Sequence, residues 1–162
     1  FLQQLLMDGS GSGDEDLWFL SDASNQDAML GQAMASADLT QDGQGDLVLC
    51  APQAGPHNSG FNTGPGQALI FLGGNILSAL QAGSTAGITP SSANFVFEGD
   101  HATNGSRGGD MFCSSVALPG NVDGDSQLRT DVVVGASDWG PSGNQGKAYL
   151  FPNHLFISSS AP

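Results

Sequence analysis

The chain has 162 residues, of which 39% are hydrophobic, and this is enough for one modest packed domain. Its 16 acidic residues against 3 basic ones give a formal net charge of −13, which repels phosphate backbones and excludes nucleic acid as a partner. The 24 glycines and 8 prolines indicate short strands joined by tight turns rather than long helices.

The N-terminal part of the chain divides into two stretches. Residues 1–7 are mostly apolar, but the run is too short to cross a bilayer, so we expect no direct membrane insertion. Residues 8–16 mix glycine and serine with acidic side chains, which is typical of a flexible linker. We therefore predict that residues 1–16 form an apolar segment and a linker ahead of the folded units.

From residue 17 onward the sequence repeats itself, and such a repeat indicates two units of one fold. Each unit holds four short apolar segments bounded by glycine, proline, asparagine or aspartate, as strands are. The matched segments are, in chain order, 17–22, 30–38, 46–52 and 66–72 in the first unit, and 95–100, 112–121, 131–137 and 146–151 in the second. We predict an all-β fold of two four-stranded antiparallel units, formed by residues 17–74 and 94–151.

The segments outside these units are assigned by composition. Residues 75–93 are predicted to be a long loop, with one helical turn over residues 76–80. Residues 152–162 are predicted to be an edge segment. The apolar stretches 1–7 and 154–158 have a composition that suits strands added to the sheet of a neighbouring molecule.

Each unit carries an acidic loop between its second and third segments. In the first loop, oxygen-bearing side chains recur at alternate positions, and calcium prefers about six to eight oxygen ligands. The candidate ligands are Asp38, Thr40, Asp42 and Asp46, with the carbonyl group of Gln44 as a fifth. The second loop offers Asn121, Asp123, Asp125 and, two residues later than the first loop's spacing, Asp131. These residue types also favour ordinary turns, but two clusters at matching places predict two calcium ions.

The order of these features resembles a known repeat. FG-GAP repeats, known from integrin α subunits, GPI-specific phospholipase D and many secreted microbial proteins, combine a Phe-Gly pair, an Asp-rich loop and a Gly-Ala-Pro triplet. The matching positions here hold Leu30-Gly31 and Phe112-Cys113 for the pair, and Cys50-Ala51-Pro52 and Gly135-Ala136-Ser137 for the triplet. The resemblance covers residues 17–151. It implies one β-propeller blade for each repeat, with calcium in the loop that joins its first two strands.

The resemblance also implies where the protein works and what it binds. It favours an extracellular or cell-surface binding and adhesion module, integrin-like, with structural calcium. Its partners would be protein or glycan ligands, or copies of itself. Propellers of this family normally close with seven blades, so two repeats indicate either a fragment of a longer chain or a subunit that assembles with others. Two alternatives stay open: a self-assembling subunit of an extracellular fibre, and the non-catalytic propeller segment of a secreted hydrolase such as a phospholipase.

The sequence gives no sign of a catalytic centre. It contains neither a nucleophile-elbow motif nor a zinc-protease motif. His57, His101 and His154 have no nucleophile or paired carboxylate at a telling spacing. We therefore predict that the chain is not itself an enzyme.

Two further features concern covalent modification. Cys50 and Cys113 lack the CxxC spacing of a zinc or redox site. The geometry of the family would place them at the same end of adjacent blades, so an inter-blade disulfide and two buried thiols are both open. Asn104-Gly105-Ser106 is a candidate glycosylation sequence in a polar loop, which makes Asn104 the candidate attachment site.

Overall fold

Short strands make up most of the regular structure. The computed structural model describes residues 19–20, 28–55, 64–81, 87–100, 109–140 and 145–155. The strands of the first sheet are, in spatial order, β1 (Met34–Ala37), β2 (Asp46–Ala51), β3 (Gln67–Phe71) and β4 (Phe95–Glu98). Those of the second sheet are β5 (Phe112–Ala117), β6 (Val132–Ala136) and β7 (Lys147–Phe151). All neighbours are antiparallel, so the all-β prediction is confirmed as two antiparallel sheets with little helix.

The helical content lies in the connections. α1 (Gly73–Gln81) follows β3, and short 3-10 helices, Pro90–Ser92 and Asn153–Leu155, precede β4 and follow β7. The connection predicted as a loop with one helical turn therefore begins inside a helix of 9 residues. Ile76 and Ala79 lie one turn apart on α1 and pack against the first sheet, so burial of one helix face supports the helix. Among the described residues, no helix has the length and apolar character needed to cross a membrane.

The sheets do not follow the boundaries of the sequence repeat. β4 begins the second repeat unit, yet it pairs with β3 of the first, with Phe95 opposite Ile70 and Glu98 opposite Gln67. Within the described residues, the first sheet has four strands and the second has three. The prediction of two separate four-stranded units is wrong in this respect, because the first sheet takes its fourth strand from the second unit and leaves that unit with three. A sequence repeat fixes the order of the strands, but it leaves open which sheet edge each strand joins.

The two central strands of the first sheet, β2 and β3, are buried on both faces. The side chains that point from β2 and β3 into the main core have no exposed surface: Val48, Cys50, Ala68 and Ile70. The opposite face of the same strands carries Leu49, Leu69 and Phe71, which pack against α1 and Ile88. Strands that are covered on both faces have continuous apolar sequences, and this explains the unbroken apolar run of β2.

The second sheet uses only one face for the main core. Val132, Val134 and Phe151 point inward against the first sheet. Along β7, Ala148 and Leu150 alternate with the inward-pointing Tyr149 and Phe151, so they point outward, and both are exposed. The described part of the chain thus leaves the outer face of the second sheet open.

The two sheets are joined by a covalent bond and by ring stacking. Cys50 in β2 and Cys113 in β5 form a disulfide, with their Cα atoms 5.1 Å apart. Of the two states left open by the sequence, the structure contains the disulfide. Phe97 in β4 stacks on Phe151 in β7 with ring centroids 4.2 Å apart. The sheets therefore share one core rather than forming two separate ones.

Candidate metal-binding loops

The first acidic loop, residues 38–46, joins β1 to β2 in a tightly curled path. The carboxylate of Asp38 accepts hydrogen bonds from the backbone N–H groups of Asp42 at 3.2 Å and Gly43 at 2.9 Å. Asp42 in turn accepts from the N–H of Gln44 at 2.8 Å. Gly43 has a φ of 82°, which glycine adopts without strain. The loop therefore folds its acidic side chains back onto its own backbone.

Asp46 closes the first loop from a buried position. One carboxylate oxygen, Oδ2, accepts from the N–H groups of Leu39 at 2.7 Å and Thr40 at 3.2 Å. The other oxygen, Oδ1, accepts from the N–H of Gly73 at the start of α1, at 2.8 Å. Burial raises the pKa of Asp46, the negative charge of Asp42 adds to this, and the three backbone hydrogen bonds oppose it. Asp46 thus joins the loop, β2 and α1 through one carboxylate.

The second acidic loop, residues 121–131, joins β5 to β6 and repeats this arrangement. Asp131 Oδ2 accepts from the N–H groups of Val122 at 2.7 Å and Asp123 at 3.2 Å. Asp131 Oδ1 accepts from the N–H of Asn153, which follows β7, at 2.9 Å. The two extra residues of this loop do not displace the closing aspartate, which occupies the same position as Asp46. For Asp131, burial raises the pKa, but the backbone hydrogen bonds outweigh it and the net pKa is lowered.

The remaining predicted ligands of the second loop also turn back onto the backbone. Asn121 accepts from the N–H of Gly124 at 2.8 Å, and Asp123 accepts from the N–H of Asp125 at 3.0 Å. Asp125 Oδ1 accepts from the N–H groups of Gln127 and Leu128, both at 3.1 Å. Each loop therefore has polar side chains that are held in place by its own backbone.

His154 joins the second loop, a role that its sequence context did not indicate. Its Nδ1 lies 2.9 Å from Asp123 Oδ2 and 3.4 Å from Asp125 Oδ2. The ligand atoms of these three side chains all lie within 4.8 Å of one another. No local sequence motif indicates this contact, because it depends on strand pairing. β7 pairs with β6 directly after Asp131, with Phe151 opposite Val132, so the residues that follow β7 lie next to the loop. The equivalent position after β3 holds Gly74, so the first loop lacks a histidine there.

The two loops lie side by side at one end of the sheets. Gln41 Nε2 in the first loop donates to the carbonyl oxygen of Gln127 in the second, at 2.9 Å. The buried Asn153 side chain donates through Nδ2 to the carbonyl oxygens of Leu39 and Thr130, both at 3.0 Å. Asn153 is a second residue whose role could not be read from the sequence, because its partners lie in both loops.

The residues of the first loop fit a calcium ion by their chemistry. All its candidate ligands would bind a cation through oxygen atoms. Thr40 Oγ1 lies 3.5 Å from Asp38 Oδ1, so these two predicted ligands are neighbours. A carboxylate oxygen has two lone pairs, so one that accepts a backbone hydrogen bond can still bind a hard cation. Gln44 donates its N–H to Asp42, and its carbonyl group remains a predicted ligand.

The second loop fits calcium with one condition. Gln127 Oε1, in the same loop, is a buried oxygen that has no hydrogen-bond partner among the described residues. His154 would have to turn away from Asp123 and Asp125, since calcium sites use oxygen ligands. Among the described residues, the ligand atoms of Asp123, Asp125 and His154 form a close group, whereas the carboxylates of the first loop do not.

Comparison with known proteins does not assign the chain to a family. No protein-family model matches it, and a search of curated proteins finds no match. The candidate glycosylation site Asn104 lies outside the described residues, as do His57, His101 and most of the two terminal segments.

Proposed function

We propose that the chain is an extracellular, calcium-stabilised binding and adhesion module of the FG-GAP β-propeller type, and that it is not itself an enzyme. The observation that carries the proposal is the repeated closing aspartate. Asp46 and Asp131 accept the same three kinds of backbone hydrogen bond in two loops of different length. Such repetition at the level of single atoms supports two copies of one loop structure.

The role proposed for calcium is structural. In the second loop the carboxylate oxygens of Asp123 and Asp125 lie within 4.8 Å of each other, and like charges held together raise the free energy of the folded state. In the first loop the negative charge of Asp42 acts on the buried Asp46. A divalent cation would offset this repulsion and fix the loop between the first two strands of each sheet. Asp38, Thr40, Asp42 and Asp46 would hold it in the first loop, with the Gln44 carbonyl. Asn121, Asp123, Asp125 and Asp131 would hold it in the second.

Two other observations support an extracellular binding role. The disulfide between Cys50 and Cys113 is typical of proteins that fold in oxidising compartments. The net charge of −13 disfavours nucleic acid and anionic membranes as partners. Protein or glycan ligands are the partners that remain compatible with such a surface.

Calcium titration of thermal unfolding tests the proposal. A cation that binds only the folded state stabilises it by about 2.7 kcal/mol at a concentration of 100 times its Kd. For a chain of this size we expect a rise in Tm of about 5–10 °C. The variant Asp42→Ala removes an exposed first-loop ligand and should lose the part of this rise that comes from the first loop.

The matched control is Glu98→Ala, which removes one negative charge from β4, outside both loops. It should keep the full calcium response. If calcium acted only by general screening of the net charge, the two variants would respond alike. A Tm that does not move with calcium would reduce both loops to ordinary turns. An equal response in Asp42→Ala and Glu98→Ala would contradict the first-loop site.

A further inference from the structure

The two sheets pack together through faces that are not equivalent in the sequence repeat. The first sheet contributes what we term the lead face, formed by Val48, Cys50, Ala68 and Ile70. The second sheet contributes the receiving face, formed by Val132, Val134, Tyr149 and Phe151. These faces differ because neighbouring residues of a strand point to opposite sides of a sheet. The internal interface is therefore of the head-to-tail kind.

The repeat places a second lead face on the outer side of the second sheet. Aligning Asp46 with Asp131 and Gly66 with Gly146 gives the equivalents of the four lead-face residues: Val133, Gly135, Ala148 and Leu150. In the first sheet these positions have no exposed surface, whereas in the second sheet Leu150 is 44% exposed. Ala117, opposite Val133, extends the same face and is also exposed. This second lead face carries no charged side chain, although the chain as a whole is strongly acidic.

The same alignment places a second receiving face on the first sheet, on the side away from the main core. Its centre, which includes Leu49 and Leu69, is covered by α1 and Ile88. Two side chains at the ends of the same row stay uncovered. Met34, opposite Leu49, is 64% exposed, and Val96, opposite Leu69, is 47% exposed. Among the residues that the structure describes, the lead face of the second sheet is therefore uncovered, and the receiving face of the first sheet has an uncovered apolar rim.

We infer that the partner of the open lead face is a second copy of this chain, packed head to tail. Leu150 and Val133 of one copy would lie against the exposed Met34 on the β1 edge of the next, beside α1, which covers the centre of that receiving face. Such a contact uses different patches on the two copies, so it forms a ring if the rotation closes and a filament if it does not. The inference rests on the repeat architecture of the proposed function and names a partner for it, but it does not depend on calcium.

The experiment measures the mass of the 162-residue chain in solution by light scattering, from low micromolar to near millimolar concentration. We expect species larger than the single chain of 16.5 kDa as concentration rises. Leu150→Lys on the lead face and Met34→Lys on the receiving face should each abolish these species, because an added charge must be desolvated on contact. Leu128→Lys is the control, since Leu128 is 72% exposed in the second loop, outside both faces, and it should assemble like the parent chain.

Mixing the two defective variants distinguishes head-to-tail packing from a symmetric dimer. Leu150→Lys retains an intact receiving face and Met34→Lys an intact lead face, so the mixture should form a dimer that neither variant forms alone. A parent chain that stays a monomer at every concentration overturns the inference, and the lead face of the second sheet would then bind something other than a second copy. It is also overturned if either variant assembles normally or if the mixture stays monomeric. Calcium-dependent stabilisation would be unaffected by any of these results, so failure of the inference and failure of the proposed function can be told apart.

Discussion

Asp46 shows how one side chain can hold a loop without any metal. Its carboxylate is fully buried and accepts three backbone N–H groups, from Leu39, Thr40 and Gly73. A buried N–H group that loses its acceptor costs about 1–3 kcal/mol. We therefore expect Asp46→Ala to lower the free energy of unfolding by about 3 kcal/mol or more, even in the presence of a chelator. Urea unfolding with EDTA measures this directly.

Asp42→Ala is the matched comparison for Asp46→Ala. Asp42 belongs to the same loop but is exposed and accepts only the N–H of Gln44 in that loop. Its loss should cost less than about 1 kcal/mol when calcium is chelated, and its main effect should appear only with calcium. Equal costs for the two variants under EDTA would show that Asp46 does not have the structural role assigned to it. The pair thus separates the aspartate that builds the loop from an aspartate proposed to bind the ion.

Asp100 gives the fold a dependence on acid pH. Its Oδ2 accepts from Lys147 Nζ and Tyr149 OH, both at 2.8 Å, and from Trp139 Nε1 at 3.2 Å. The hydrogen bond from Lys147, followed by that from Tyr149, holds the pKa of Asp100 below its usual value of 3.8. A lowered pKa contributes stability that is present above pH 3.8 and is lost as the pH falls through the lower, folded value.

We therefore expect Asp100→Asn to destabilise the protein at about pH 7 and to have less effect at about pH 3, which lies below 3.8, where the stability that the carboxylate contributes begins to be lost. The effect should be small, since both charged side chains are partly solvated. Tm measurements at the two pH values test it. In a Lys147→Met background the substitution should matter less at neutral pH, because the main cause of the pKa shift is gone. A difference in Tm that does not change with pH would contradict this account.

At the level of the elements, two equivalent glycines stand in different surroundings. Gly66 precedes β3 and Gly146 precedes β7, and both have positive φ, 96° and 72°. A Cβ atom at Gly66 would collide with the backbone of Phe112 and with the carbonyl oxygen of Pro52. At Gly146 its nearest neighbour would be the carbonyl oxygen of Ser137 at 3.7 Å, which is ordinary contact. The first glycine marks the contact between the two sheets, and the second does not.

Alanine substitution should separate these two costs. Gly146→Ala should lower the free energy of unfolding by about 1–2 kcal/mol, the cost of a left-handed backbone. Gly66→Ala should lower the free energy of unfolding by about 1–3 kcal/mol more than Gly146→Ala does, because the backbone of Phe112 must move. Urea unfolding of the two variants measures the difference. If both lose the same amount, the close contact of Gly66 with β5 has no energetic consequence.

The elements also show which features a sequence can predict. The loops and the order of the strands were predictable because they depend on local chemistry: turn residues, alternate oxygen donors and apolar runs. Pairing was not, since β4 is close in sequence to β5 but joins β3. The same holds for His154, which reaches Asp123 only because β7 pairs beside β6. The full extent of α1 was missed because its support comes from packing of Ile76 and Ala79 on the sheet.

For the whole molecule, the decisive feature is that both sheets share one core. The buried side chain of Phe112 in β5 has ring contacts with Tyr149 and Phe151 in β7, with centroids 5.2 and 6.2 Å away. Its N–H donates to the carbonyl oxygen of Pro65, just before β3, at 3.0 Å. The next residue, Cys113, forms the disulfide to β2. Neither sheet therefore has a complete core without the other.

This arrangement predicts a single unfolding transition. Far-UV circular dichroism, which reports both sheets, and tryptophan fluorescence should give the same midpoint in urea. Phe112→Ala should lower the free energy of unfolding by about 3–5 kcal/mol, as for other buried aromatic residues, and both signals should shift together. Leu77→Ala, at an exposed position of α1, should cost less than about 1 kcal/mol. Two separate midpoints in Phe112→Ala would mean that each sheet is stable alone, because only independent cores can unfold at different urea concentrations.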